Sequence, residues 1–284
     1  MENPLRSKKD LPITIIGAGA VGSALGLAFR NRKFTLRLVV SRKGESARRL
    51  GRRVGARHCT LKSMPAISTG GIVFLTVPDD EIGDVAQIVS QMRSDFSGTV
   101  VFHCSGVLES DVLAPLCRKG AAVGSFHPLQ TFPGTKADAE GLSDIWIGIE
   151  GDRKAIALGM YLAHELGSRA LILTRRQKVL YHLAAVFSSN FFTTILSVVE
   201  ELGVRLGLPR NKVLSIYEPI ILRSFMNAKL TSAAAALTGP IARGDHSTIR
   251  KHRSALNARG LKRIAALYEA LSKETAVLAS TKDP

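Results

Sequence analysis

The chain has 284 residues, 45% hydrophobic and 6% aromatic, and its 39 basic against 23 acidic side chains give a formal charge of +16. That length accommodates two domains with sizeable cores, and the apolar content excludes a disordered or low-complexity polypeptide. Three cysteines, Cys59, Cys104 and Cys117, with no CxxC spacing, argue against a disulfide framework or a zinc module.

Read as a sequence, no run approaches the roughly 20 apolar residues of a membrane span. The first ten residues carry no apolar stretch of the secretory kind. The expectation is a cytoplasmic protein without a membrane partner. The basic residues are scattered and not interleaved with aromatics, so nucleic acid is not the expected partner. A positive field of this size also favours anionic cofactors and substrates.

Ile13-Thr14-Ile15-Ile16 reads as a buried strand and runs into Gly17-Ala18-Gly19-Ala20-Val21-Gly22. Small and apolar residues from Ser23 to Phe29 then follow at helical spacing. A strand, a GxGxxG turn and a helix together make a dinucleotide site: one glycine turns the chain, one admits the pyrophosphate, one lets helix and strand approach. Exposed N–H groups at the helix start bind the anion. A second strand, Thr35 to Val40, ends in Ser41-Arg42-Lys43. No carboxylate stands there to hold a ribose 2′-hydroxyl, whereas a hydroxyl and two cations suit a 2′-phosphate. The expected cofactor is NADP.

A short basic helix follows from Glu45 to Gly51. Gly71 to Val77 is a near-continuous apolar run, as expected of a parallel strand covered on both faces. It stops at Pro78-Asp79-Asp80, before a helix from Glu81 to Met92. Further strands are Thr99 to His103, Ala121 to Phe126, Ile145 to Ile149 and Ala170 to Leu173. This alternation predicts an α/β Rossmann domain, doubly wound and mostly parallel, over residues 11–174. Ligands collect at the carboxyl ends of such strands. Thr76, Val77 and Pro78 are therefore placed beside the ribose and phosphates, and Cys104, Ser105 and Gly106 beside the nicotinamide. His127 leaves its strand as a proton-capable group facing the substrate.

From Arg175 the strands vanish, and residues 175–284 are predicted as an all-α domain for substrate binding and dimerisation. Leu180, Leu183, Phe187, Phe191, Ile195, Val198, Leu202 and Leu206 form one apolar stripe at about 100° per residue. Polar groups occupy the rest of that helix, among them Lys178, His182 and Asn190. In the loop from Thr238 to Asp245, Arg243 suits a bidentate grip on a carboxylate. Asp245 or Ser247 suits the N-cap of the next helix.

The glycine turn, Thr76-Val77-Pro78-Asp79, His103-Cys104-Ser105-Gly106, His127-Pro128-Leu129-Gln130-Thr131-Phe132, Tyr181-His182 with Ser189-Asn190, and Thr238 to Asp245 resemble a group of uncharacterised oxidoreductases. Its members join an NADP-binding Rossmann-like domain to a helical domain of unknown function, and the match runs from about Leu11 to Leu278. The group is similar in architecture to pyrroline-5-carboxylate reductase, ketopantoate reductase and the 6-phosphogluconate and 3-hydroxyacid dehydrogenases. The resemblance implies a homodimer through the helical domain, a substrate bound between the domains, and hydride transfer with NADP. The hydroxyacid dehydrogenases carry a catalytic lysine with asparagine four residues on. Here His182 follows Lys178 at that spacing, so the lysine mechanism is not carried over. His127 and His182 are the candidates for the proton, Asn190 for orienting the substrate and Arg243 for an anionic group. The alternative is a non-catalytic NADP(H)-binding sensor.

Overall fold

The computed structural model describes residues 8–67, 70–132 and 141–281. Most of the opening segment read above as non-secretory, residues 1–7, lies outside them.

Eight strands form one sheet in the order β3-β2-β1-β4-β5-β6-β7-β8. They are β1 (Ile13–Ile16), β2 (Leu36–Ser41), β3 (Arg57–Thr60), β4 (Ile72–Leu75), β5 (Val100–His103), β6 (Ala122–Pro128), β7 (Trp146–Gly151) and β8 (Arg169–Ile172). The first six run parallel, β7 runs antiparallel to β6, and β8 parallels β7. The reversal sets Ile147 opposite Pro128 and Gly148 opposite His127. The start of β7 thus lies at the end of β6.

Both sheet faces are covered. Helices α1 (Ala20–Asn31), α2 (Gly44–Val54) and, further along the chain, α5 (Arg153–Glu165) lie on one face. Their Leu25, Phe29, Leu50, Val54, Leu158 and Leu162 share a core with Ile13, Ile15, Phe74, Phe102 and Phe126. On the other face, α3 (Asp79–Gln91) and the short α4 (Ala114–Cys117) bring Ile82, Val85, Val89 and Leu116 against Val73, Leu75, Val101 and Val123. Every residue of β1 and β4 is buried, as strands with two covered faces require.

Two compact units divide between Ser189 and Asn190. The first therefore includes α6 (Lys178–Val186), which hydrophobic periodicity alone groups with the helices after it. A π-helical turn, Phe187–Phe191, follows. The second unit contains α7 (Phe192–Arg205), α8 (Arg210–Leu230), the short α9 (Ala233–Ala236), α10 (His246–Ala258) and α11 (Lys262–Ser280). Its small core gathers Leu256, Leu261 and Ile264 with Val198 and Tyr268.

Two expectations are corrected here. The apolar stripe does not lie on one uninterrupted α-helix, because the π turn breaks it. Many of its side chains stand in solvent instead of packing, Leu180 at 70% exposure among them. In addition, residues 175–205 do form one helical stretch long enough, and apolar enough over an 18-residue window of mean hydropathy 1.5, to cross a membrane by length and composition. The serines, threonines and asparagine within it hide that hydropathy from a search for unbroken apolar runs.

Candidate functional site

The carboxyl ends of β1, β4, β5 and β6 lie along one edge of the sheet and carry most of the residues singled out by sequence. After β1 the three motif glycines divide the work. Gly17 turns the chain at φ +115°, a conformation that disfavours side chains. A Cβ on Gly22 would stand 2.0 Å from the Gly17 carbonyl oxygen and 2.5 Å from Thr76 Oγ1, so α1 reaches the turn only without one. A Cβ on Gly19 would meet nothing within 4 Å. Open space thus lies beside the residue that precedes the first turn of α1, where N–H groups lack partners within the helix. Thr76, just past β4, braces the turn: its hydroxyl donates to the Gly17 carbonyl at 2.6 Å. This arrangement fits the pyrophosphate of a dinucleotide.

At the end of β2 the hydroxyl of Ser41 is committed within the chain. It donates to the Lys43 carbonyl and accepts from the Ala47 N–H, fixing the start of α2. Lys43 is the N-cap residue of that helix and is exposed. Arg42 is exposed and pairs with Glu81 in the first turn of α3 at 2.6 Å. Of the three predicted phosphate contacts, two cations remain at the surface.

After β5, Ser105 is a hub. Its hydroxyl donates to Asp79 at 2.7 Å and accepts from the Leu108 N–H at 3.0 Å. Its carbonyl accepts from Lys178 Nζ at 3.0 Å. Lys178 is wholly buried, and burial pulls its pKa from 10.5 down to about 8 against the opposing carboxylates of Glu150, Asp79 and Glu109. Burial also pushes the Cys104 thiol up, so it stays protonated. His103 is buried, accepts from the Ser105 N–H through Nδ1, and is driven by burial and then by Lys178 down to about 3.

The structure brings His127 and His182 together. Their rings lie perpendicular with centroids 5.9 Å apart, both against Gly106. A Cβ there would come within 2.5 Å of His182 Cδ2 and 2.9 Å of His127 Nε2. His127 Nδ1 shares a hydrogen bond of 2.9 Å with the hydroxyl of Tyr181, a residue quoted above only within a motif. Tyr181 has room because Gly148, opposite His127 on β7, has no side chain: a Cβ would stand 2.7 Å from the phenol oxygen. Burial, then Lys178 and His182, lower His127 to about 4, and burial raises Tyr181 to about 12. Both groups are neutral at pH 7. Lys178, Tyr181 and His182 come from one helical face, at i, i+3 and i+4. The sequence signal for Tyr181 was its place beside His182 in the Tyr181-His182 motif.

Glu150 on β7 is buried as well. It accepts from the N–H and hydroxyl of Ser110, and Arg175, just before α6, lies 3.7 Å from it. This ties the approach to α6 to the loop after β5. In the second unit, Asn190 is exposed in the π turn and Arg243 is exposed in its loop. Asp245 caps α10, accepting from the Thr248 N–H and from the Thr248 and Ser247 hydroxyls, which hold it down to about 2.

A doubly wound sheet with a glycine turn at its carboxyl edge, followed by a helical region, defines a Rossmann-like two-domain protein. Residues 2–128 match the Rossmann-like domain and residues 145–275 match DUF2520, a domain of unknown function, so the chain joins these two domains. Among solved structures it is similar to a candidate NADP oxidoreductase of Bacteroides fragilis, with 26% identity, TM-score 0.81 and coverage of 95% of this chain and 99% of that one. A protein of Thermotoga maritima is 25% identical over 95% of this chain and 98% of its own, with TM-score 0.69. An imine reductase of Myxococcus stipitatus in complex with NADP+ shares the fold at 16% identity and TM-score 0.66, over 93% of each chain. No curated protein matches the sequence.

Proposed function

We propose that the chain is an NADP-dependent oxidoreductase that passes a hydride between nicotinamide and a small, anionic carbonyl or imine compound. The observation that carries this reading is one sheet edge holding both the glycine turn, with open space at Gly19, and a neutral imidazole–phenol pair, His127 and Tyr181. The description of the Bacteroides relative as a candidate NADP oxidoreductase supports it. Bound at this edge, the dinucleotide supplies the hydride chemistry. The N–H groups opening α1 hold its pyrophosphate, Arg42 and Lys43 receive the 2′-phosphate, and residues 104–106 offer backbone to the ring. Tyr181 stays protonated and His127 stays neutral, so the pair holds and moves a proton without a standing charge, with His182 beside it. Asn190 and Arg243 take the substrate-orienting and anion-binding roles.

Titration with NADPH and NADH, followed by nicotinamide fluorescence, tests the cofactor. The native chain is expected to bind NADPH more tightly. Replacing Arg42 and Lys43 together by alanine is expected to weaken NADPH about tenfold or more, toward the NADH value, because charge-assisted contacts are lost. If neither dinucleotide binds, the reading fails. Tight NADPH binding with no transfer of deuterium from the cofactor to any metabolite would favour the sensor instead.

The homodimer is proposed on exposed apolar surface. In α8, Ile216 and Ile220, one turn apart on one face, are 53% and 64% exposed. Such a patch is costly in water and marks an interaction face. Sedimentation of the native chain should give twice the monomer mass, and Ile216→Asp with Ile220→Asp should shift it to monomer. A monomeric native chain rejects the dimer.

A further inference from the structure

Strands β2 and β4 flank β1 on its two sides. Each is followed, at the carboxyl edge, by one half of an ion pair. Arg42 comes directly after β2, and Glu81 lies in the first turn of α3, which follows β4. Arg42 Nη1 donates to Glu81 Oε1 at 2.6 Å, with the two side chains 76% and 35% exposed. The pair therefore links the two sides of the strand whose end carries the glycine turn. We propose that Glu81 narrows the preference between the two nicotinamide dinucleotides by competing with the 2′-phosphate for the Arg42 fork; this rests on the cofactor reading above.

A phosphate monoester is best held by both arms of a guanidinium. One nitrogen of the fork already serves a carboxylate. To take the 2′-phosphate bidentately, Arg42 has to release or share Glu81, and the freed carboxylate then faces a dianion of like sign. A dinucleotide without the 2′-phosphate meets neither cost, because its ribose hydroxyls are donors and a carboxylate is their natural acceptor. The end of β2 has no acid of its own, only Ser41-Arg42-Lys43. Ser41 has no proton left to donate to a phosphate, since its hydroxyl donates to the Lys43 carbonyl and accepts from the Ala47 N–H. Asp79, in the same turn of α3 as Glu81, is engaged by the Ser105 hydroxyl. Glu81, brought in from beyond another strand, is thus the acid joined to this cation. It narrows the preference for NADPH.

The experiment is the same fluorescence titration, with NADPH and NADH as probes, on the native chain, Glu81→Gln, Arg42→Ala and the double variant. Glu81→Gln is expected to tighten NADPH about three- to fivefold, the range set by an exposed ion pair. NADH binding should stay within about twofold of the native value or weaken, since no phosphate is there to compete. The NADPH gain should vanish in the Arg42→Ala background and shrink in about 0.5 M salt. Glu81→Ala should behave alike, and thermal melts identify any variant that has not folded. An NADPH affinity that is unchanged or weaker in both Glu81 variants overturns the inference while leaving the cofactor assignment standing. If the native chain binds neither dinucleotide, both fall together.

Discussion

Gly22→Ala is expected to lose both dinucleotide binding and stability, whereas Gly19→Ala is expected to lose binding alone. The two glycines are three residues apart and face opposite constraints. At Gly22 the new methyl would lie 2.0 Å from a backbone carbonyl, that of Gly17. Backbone at a turn cannot swing away as a side-chain tip can, so α1 has to shift or the turn has to open. Overpacking of this kind costs about 1–3 kcal/mol. The displaced turn no longer presents its N–H groups, and binding should weaken by about tenfold or more as those anion contacts are lost. At Gly19 the methyl meets nothing and the backbone φ of −79° suits alanine, so the melting temperature should be unchanged. The methyl instead takes space reserved for the pyrophosphate, and NADPH affinity should fall by about tenfold or more. Calorimetric melts and fluorescence titration on both variants decide it. Native-like NADPH affinity in Gly19→Ala would mean that the space beside the turn is not the dinucleotide's.

Acidification is expected to destabilise the protein well before its carboxylates protonate. Unfolded, His103 and His127 take up protons near pH 6.5; folded, they remain neutral until about pH 3 and about pH 4. Between those limits the unfolded chain binds more protons, so stability falls as pH falls, by up to about 1.4 kcal/mol per unit and per group. From pH 6.5 to pH 4 the loss is on the order of 5 kcal/mol, a large part of the stability of an ordinary domain. Asp245, lowered from 3.8 to about 2, contributes only below about pH 4 and does not account for this limb. Lys178 acts at the other end: with its pKa lowered from 10.5 to about 8, stability should rise as pH climbs between those values. Denaturant unfolding at pH 7, 5.5 and 4.5 reads the limb, and His127→Gln should remove about half of it. A limb that stays as steep in His127→Gln would place its origin elsewhere.

Much of the first unit was legible because its strands are long apolar runs punctuated by glycine and proline. β1, β4, β5 and β6 were placed to within two residues, and the doubly wound class followed from their alternation with helices. β3 was not, since Arg57-His58-Cys59-Thr60 lies at the sheet edge and shows neither an apolar run nor alternation. α5 went unread although its Ala155, Leu158 and Leu162 recur at helical steps. The reversal at β7 has no local marker at all, because a strand's composition does not encode its direction. That reversal decides the site: it puts Gly148 opposite His127 and so makes room for Tyr181. For the same reason the pairing of Arg42 with Glu81 was invisible, as it depends on a partner 39 residues away that tertiary structure brings near. The glycine turn, by contrast, is a local device, and its residues act within six positions of one another.

The bracing of Gly17 by Thr76 and the contact of His127 with Tyr181 have a bearing on how the protein is made. Everything that shapes the glycine turn, through Glu81, leaves the ribosome within the first 81 residues, whereas the imidazole–phenol pair waits for residue 181. A growing chain thus emits the glycine turn and its brace about a hundred residues ahead of Tyr181, the partner of His127. With 81 residues made, the sheet ends on β4, and that open edge is covered only when β5 emerges.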